Sequence, residues 1–280
     1  MECPLTTYGG IPLYGINLIV LGGIIFLTVV VLDLLLLPKR RRHNKELTDE
    51  LLTHAIVTGG SSGIGLAVAH ELIQKGCKFV TIIARNENKL NDAKQKLEEY
   101  AKSVGSSTNV AVYSVDVSDA EKITKAATDI CTSDRIPAPT MLFNVAGTSS
   151  SAAFVDTDYK EFDRLMNINY LGSAYTTRAI LPYMVPKANV NKENHPRAII
   201  FTSSQAGQLG VYGFTAYSAS KYALRGLAEA LQMEVGRDNV NVLVAFPPDT
   251  DTPGFEEEQI GKPEETRLIS EISGLFTAER

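Results

Sequence analysis

From His54 onward, short runs of apolar residues alternate with longer segments of helical period. The runs are HAIVTG (54–59), FVTIIAR (79–85), VAVYSVDV (110–117), TMLFNVAG (140–147), RAIIFTSS (197–204) and NVLVAFPP (241–248). Consecutive apolar positions leave such a strand no wet face, so each reads as a strand covered on both sides. Helical patterns fill the intervals over 63–75, 87–104, 118–134, 159–185 and 217–235. Alternation of this kind predicts an α/β fold, a Rossmann-type doubly wound parallel sheet with helices on both faces. The polar stretch PKANVNKENHPR (186–197) reads as a surface loop before the fifth strand, and no internal repeat of solenoid period interrupts the pattern.

One segment departs from that alternation. Residues 16–37, INLIVLGGIIFLTVVVLDLLLL, are apolar except for Asn17, Thr28 and Asp33. As a helix this run reaches about 33 Å, enough to cross a bilayer core. No Lys or Arg precedes residue 39, unlike the positive start of a cleaved signal peptide, so the segment is expected to be retained. The cluster KRRRHNK (39–45) follows at once, and basic residues beside a span stay on the cytoplasmic side. Three segments are therefore expected: a membrane anchor over 1–38, a basic linker over 39–53 and a nucleotide-binding domain over 54–280, with everything after Pro38 cytosolic. After about residue 272 the helix and strand signals stop, so the domain is read as C-terminally truncated, its last strand missing and a sheet edge uncovered.

Composition changes this picture little. A chain of 280 residues, 44% hydrophobic and with formal charge -5, suits one domain plus a short appendage, and its acidity argues against nucleic acid as a partner. Cys3, Cys77 and Cys131 follow no disulfide or metal-ligand spacing, and His43, His54, His70 and His195 form no paired motif, so no metal site is expected.

The chemistry is carried by loops at strand ends. TGGSSGIG (58–65) lies between the first strand and first helix, where glycines allow a tight turn and a close approach of backbone to pyrophosphate. Gly59, Gly63 and Gly65 occupy those positions, and the free amides at the helix N-terminus attract the anion. The second strand ends without a carboxylate for an adenosine ribose. It carries Arg85, with Lys89 four residues on and Ser61 and Ser62 available from the first turn, a set that favours a 2′-phosphate and hence NADPH. Asp116 closes the third strand at the height of an adenine amino group. Asn144, Ala146 and Gly147 end the fourth beside the ribose.

Tyr217 and Lys221 stand four residues apart, which puts them on one helix face. A phenol of ordinary pKa about 10 exchanges protons poorly near neutrality, and an adjacent ammonium is expected to lower that value. Ser204, at the end of the fifth strand, is placed to donate to a substrate oxygen, with Ser203 an alternative one residue before it. Asn169 is expected to hold a water joining Lys221 to solvent.

Taken together, T-G-x-x-x-G-x-G at 58–65, N-x-A-G at 144–147, Asn169, Ser204 and Y-x-x-x-K at 217–221 resemble the short-chain dehydrogenase/reductase family over about residues 54–255. The resemblance implies hydride transfer from a nicotinamide cofactor. Tyr217 is then the general acid/base, Lys221 the ribose ligand, Ser204 the group that polarises the carbonyl and Asn169 part of the proton relay. Ile64, Val117, Pro247 and Thr252 join the cofactor contacts, Thr252 at the carboxamide. Pro247-Pro248, and the stretches at 203–235 and 247–271, resemble the branch that reduces 3-ketodihydrosphingosine to dihydrosphingosine on the cytosolic face of the endoplasmic reticulum. That implies a long-chain keto-lipid substrate and a membrane-bound enzyme, and leaves homo-oligomerisation open. The alternatives are a membrane-anchored reductase of another lipophilic carbonyl, retinal or a steroid, and a truncated nucleotide-binding protein without turnover.

Overall fold

The computed structural model describes residues 7–8, 11–12, 48–185 and 195–278. The chain divides into two compact units, Met1–Glu46 and Leu47–Arg280. In the first, Thr7–Tyr8 pairs antiparallel with Ile11–Pro12. The expected span 16–37 and the basic cluster 39–45 lie outside the described residues, as does most of the loop 186–197. Among the described residues no helix is long and apolar enough to cross a membrane.

The second unit is built on a six-stranded parallel sheet. Its strands are β1 (His54–Thr58), β2 (Phe79–Ala84), β3 (Asn109–Ser114), β4 (Met141–Asn144), β5 (Arg197–Thr202) and β6 (Val240–Ala245), in the order β3-β2-β1-β4-β5-β6. The helices are α1 (Gly63–Gln74), α2 (Glu87–Ser103), α3 (Ala120–Cys131), α4 (Tyr159–Leu165), α5 (Gly172–Met184) and α6 (Thr215–Val235). Neighbouring side chains of β1 point to opposite faces, as the pleat requires. Val57 packs with Ile73 of α1 and Leu90 and Leu97 of α2, whereas Ile56 packs with Ile123 of α3, Ile180 of α5 and Leu224 of α6. Both faces are therefore covered, which is why the strands carry continuous apolar runs. The chain order reverses between β1 and β4, and ligands of open α/β sheets bind at the carboxyl ends of strands beside such a switch.

Two differences from the sequence reading concern this end of the sheet. Every expected strand ran one to three residues past its observed C-terminus, because the apolar and glycine residues there leave the sheet to line a cleft. After β6 come elements to which the sequence reading gave no ranges: β7 (Thr250–Asp251), α7 (Pro253–Glu258) and α8 (Glu264–Ser273). Beyond residue 272, where no further signal was expected, β8 (Phe276–Thr277) pairs parallel with β7. Among the described residues β6 is the outer strand of the main sheet, with Leu243 half exposed.

His54 opens β1 as a fully buried residue. Its Nδ1 lies 2.8 Å from the Pro137 carbonyl and its Nε2 2.9 Å from Thr81 Oγ1. The carbonyl only accepts, so Nδ1 carries the proton and Thr81 donates to Nε2. Burial pushes the imidazole pKa down to about 4 from an ordinary 6.5, outweighing the Pro137 hydrogen bond. The folded state thus resists a proton that the unfolded chain accepts. Stability from this group is complete above pH 6.5 and is lost as pH falls toward 4. Urea denaturation at pH 7 and pH 5 is expected to show a loss of about 2 kcal/mol that is absent from a His54→Gln variant.

Candidate active site

The turn after β1 is shaped by what lies against it. Gly59 has φ of +69°, and a Cβ there would stand 2.9 Å from the amide nitrogen of Ala146. Thr58 closes the same junction from beneath, its Oγ1 accepting from the amides of Val145 (3.0 Å) and Ala146 (3.1 Å). At the head of α1, Ser62 makes no side-chain cap and no acidic residue enters the first turn. Helix N-termini leave amides without intrahelical partners, and here they and the positive dipole end are left for an external anion.

The cleft over this turn holds about 420 Å³ and is lined by Gly59, Ser61, Ser62, Gly63, Ile64 and Gly65 at its floor. Arg85 and Lys89 border it from the end of β2 and the start of α2, both exposed. The Arg85 guanidinium lies 3.7 Å from the Asp116 carboxylate. Burial pushes the Asp116 carboxyl upward, but the hydroxyl and amide of Ser118, together with Arg85, outweigh it and hold the group below its ordinary value. Val117, Ala146, Gly147, Pro247 and Thr252 complete the expected lining.

Tyr217 and Lys221 project from the first turns of α6 into this cleft. The Lys221 Nζ lies 5.7 Å from the centre of the Tyr217 ring and donates to the Thr202 carbonyl at 2.9 Å. Small residues make this fit possible: Ser218 and Ser220 are buried beside them, and Ser220 donates to the Tyr217 carbonyl at 2.7 Å. Between the two serines at the end of β5 the geometry is decisive. Ser203 is buried and its hydroxyl is engaged by the Lys221 carbonyl at 2.9 Å, whereas Ser204 is half-buried in the cleft, where its hydroxyl opposes the rise of the Tyr217 pKa.

Three expectations are revised by these contacts. Burial drives the Tyr217 pKa upward, the Ser204 hydrogen bond opposes it, and the carboxylates of Glu258 and Asp249 add to the rise. Lys221 is itself desolvated, its pKa pushed down to about 8. Asn169 sits in a wide π turn, Met166–Leu171, of the kind that recurs at functional sites. Its Oδ1 accepts from the Thr148 amide at 2.8 Å, and its Nδ2 donates to the Thr148 carbonyl and Ser220 Oγ, both at 2.9 Å. The side chain is therefore occupied in fastening the loop after β4 to α6. Asn144 likewise lies behind the cleft, with Nδ2 donating to Thr177 at 3.0 Å and Oδ1 buried without a partner. All the other expected site residues line the one cleft.

Residues 53–262 match the family described as short chain dehydrogenase. The chain belongs to the short-chain dehydrogenase family. It is 49% identical over 231 residues to a 3-ketodihydrosphingosine reductase of Bos taurus, and 48% identical to a 3-dehydrosphinganine reductase of Danio rerio. Both matches cover 81% of this chain and 65% of the relative, so the chain spans about two thirds of the length of these relatives. Among solved structures, a short-chain dehydrogenase from Streptomyces avermitilis superposes with a TM-score of 0.61 at 32% identity, covering 72% of this chain and 68% of that one.

Within this short-chain dehydrogenase, the sequence reading gave no role to Thr58, Asp249 or Glu258, and held Ser203 only as an alternative to Ser204. Thr58 had a signal, a polar residue ending an otherwise apolar strand. Glu258 had none, because its place depends on how the segment after β6 folds back.

Proposed function

We propose that this short-chain dehydrogenase reduces the 3-keto group of 3-ketodihydrosphingosine with NADPH, giving dihydrosphingosine. The observation that carries the reading is the gathering of Ser204, Tyr217 and Lys221 in the cleft of the glycine turn, with the Lys221 ammonium 5.7 Å from the Tyr217 ring centre. Relatives named for this reaction supply the substrate.

The cleft suits the cofactor on its own chemistry: uncapped amides at the head of α1 for the pyrophosphate and a guanidinium at the end of β2 for a 2′-phosphate. Bound there, NADPH supplies the hydride. Lys221 would hold the nicotinamide ribose, and with a pKa of about 8 it keeps its charge at neutral pH. Ser204 donates to the ketone oxygen and steadies the charge that grows on it. Tyr217 delivers the proton. Its raised pKa keeps the phenol protonated, the form that ketone reduction requires.

The apolar run 16–37 followed by KRRRHNK supports a membrane-anchored protein whose catalytic domain faces the cytosol at the endoplasmic reticulum. A lipid ketone and its reductase then share one surface.

NADPH oxidation should be measured with 3-ketodihydrosphingosine, retinal and a steroid ketone in parallel. Consumption with the first supports the reading. Consumption only with retinal or the steroid would replace the substrate and leave the reductase chemistry in place. A second measurement concerns the cofactor. Arg85→Ala is expected to raise the KM for NADPH roughly 10- to 100-fold, the worth of a charge-assisted contact, while that for NADH stays unchanged.

A further inference from the structure

The cleft is charged unevenly. Arg85, Lys89 and the open amides of α1 border the glycine turn. Around Tyr217 the lining instead carries two carboxylates, Glu258 at the end of α7 and Asp249 between β6 and β7.

Glu258 is held firmly in place. Its Oε1 accepts from Lys262 Nζ at 2.9 Å, and the Lys262 side chain is wholly buried, its ammonium 5.5 Å from the Phe214 ring centre and 5.2 Å from that of Phe255. The Phe214 ring in turn packs 5.4 Å from the Tyr217 ring. The main-chain oxygen of Glu258 accepts from the buried Ser151 hydroxyl. A buried ion pair adds little stability of its own. What this one does is fix the direction of a carboxylate that is 10% exposed, with one oxygen engaged by Lys262 and the group still able to accept further bonds. Asp249 has no side-chain hydrogen bond or ion pair among the described residues. Lys262 balances Glu258, and among the described residues no cation pairs with Asp249 in the same way.

We infer that Glu258 and Asp249 receive the ammonium of an α-amino ketone whose carbonyl oxygen lies against Tyr217 and Ser204. The inference rests on the reductase reading and deepens it, since it makes the amine next to the ketone the group by which substrates are selected. It also couples recognition to chemistry. Both carboxylates push the Tyr217 phenol upward, so a cation docked on them relieves that push and makes the phenol a readier proton donor once the right substrate is in place.

The test is steady-state NADPH oxidation by the full chain with three ketones of equal length: 3-ketodihydrosphingosine, its N-acetyl amide, and the 1-hydroxy-3-ketone without nitrogen. The amine is expected to exceed both neutral ketones in kcat/KM by roughly 10- to 100-fold, and Glu258→Gln and Asp249→Asn should each erase most of that preference. Asp249→Asn removes no partnered group, so it reads specificity without the loss of a counter-ion that Glu258→Gln imposes on Lys262. Equal use of the three ketones, or a preference that survives both substitutions, overturns the ammonium site and leaves the reductase standing. Reduction of retinal or a steroid with none of the three turned over overturns the sphingoid reading and this site together.

Discussion

Replacing Tyr217 with phenylalanine is expected to lower turnover roughly 10²- to 10⁴-fold, the usual worth of a positioned general acid, with NADPH affinity changed by no more than a few-fold. The substitution removes one oxygen and little else. The ring keeps its packing on Phe214, 5.4 Å between centres, and the Lys221 ammonium keeps its bond to the Thr202 carbonyl at 2.9 Å. Without the hydroxyl, a ketone oxygen bound at Ser204 has a hydrogen-bond donor but no acid that is held protonated by its surroundings. Water has to supply the proton in a cleft whose phenol is already strongly desolvated. Single-turnover NADPH oxidation should therefore slow by the full factor, while NADPH titration followed by cofactor fluorescence stays near the unsubstituted value. Equal turnover of the two proteins would remove Tyr217 from the reaction, and equal rates at the enzyme-free background would leave a nucleotide-binding protein without catalysis.

How far the sequence reaches is visible in that same residue. That Tyr217 and Lys221 share a face follows from helical spacing alone, and the 5.7 Å between ammonium and ring centre bears it out. The direction in which the phenol pKa moves was not legible. It depends on how much water the fold removes and on Glu258, which lies 41 residues further along the chain. The glycine turn and the six strands were legible because each rests on a local pattern, a run of β-formers or a glycine spacing. Their ends were less so, since Val117 or Ala146 in a ligand loop is as apolar as a residue inside the sheet. Asn169 shows the limit most clearly. Its type and position pointed to the site, but only the three hydrogen bonds to Thr148 and Ser220 show that it positions the cleft from behind. The start of α7 was within reach: Thr252 caps it and Pro253 stands at its first position, a signal that sequence alone provides.

Gly65→Ala is expected to weaken NADPH binding roughly 100-fold, although it adds a single methyl group to a helix. A Cβ at this position would overlap the Gly59 carbonyl oxygen, stand 2.7 Å from the Gly59 carbonyl carbon and lie 3.1 Å from Gly60 Cα. All three are backbone atoms, so no side chain can swing aside. The turn must open, and on its far side Gly59 already lies against the main chain of Ala146 with no space to receive it. Strain of about 1–3 kcal/mol then falls on the segment whose amides would hold the pyrophosphate. Gly226 is the control. It lies exposed within α6, away from the cleft, and a Cβ there meets nothing within 4 Å. Gly226→Ala should stabilise the protein by about 0.5–1 kcal/mol through helix propensity and leave NADPH binding alone. Isothermal titration with NADPH and urea denaturation of the two variants separate the effects. If Gly65→Ala bound NADPH as tightly as Gly226→Ala, the turn would not be what holds the phosphates, and the cofactor would have to lie elsewhere.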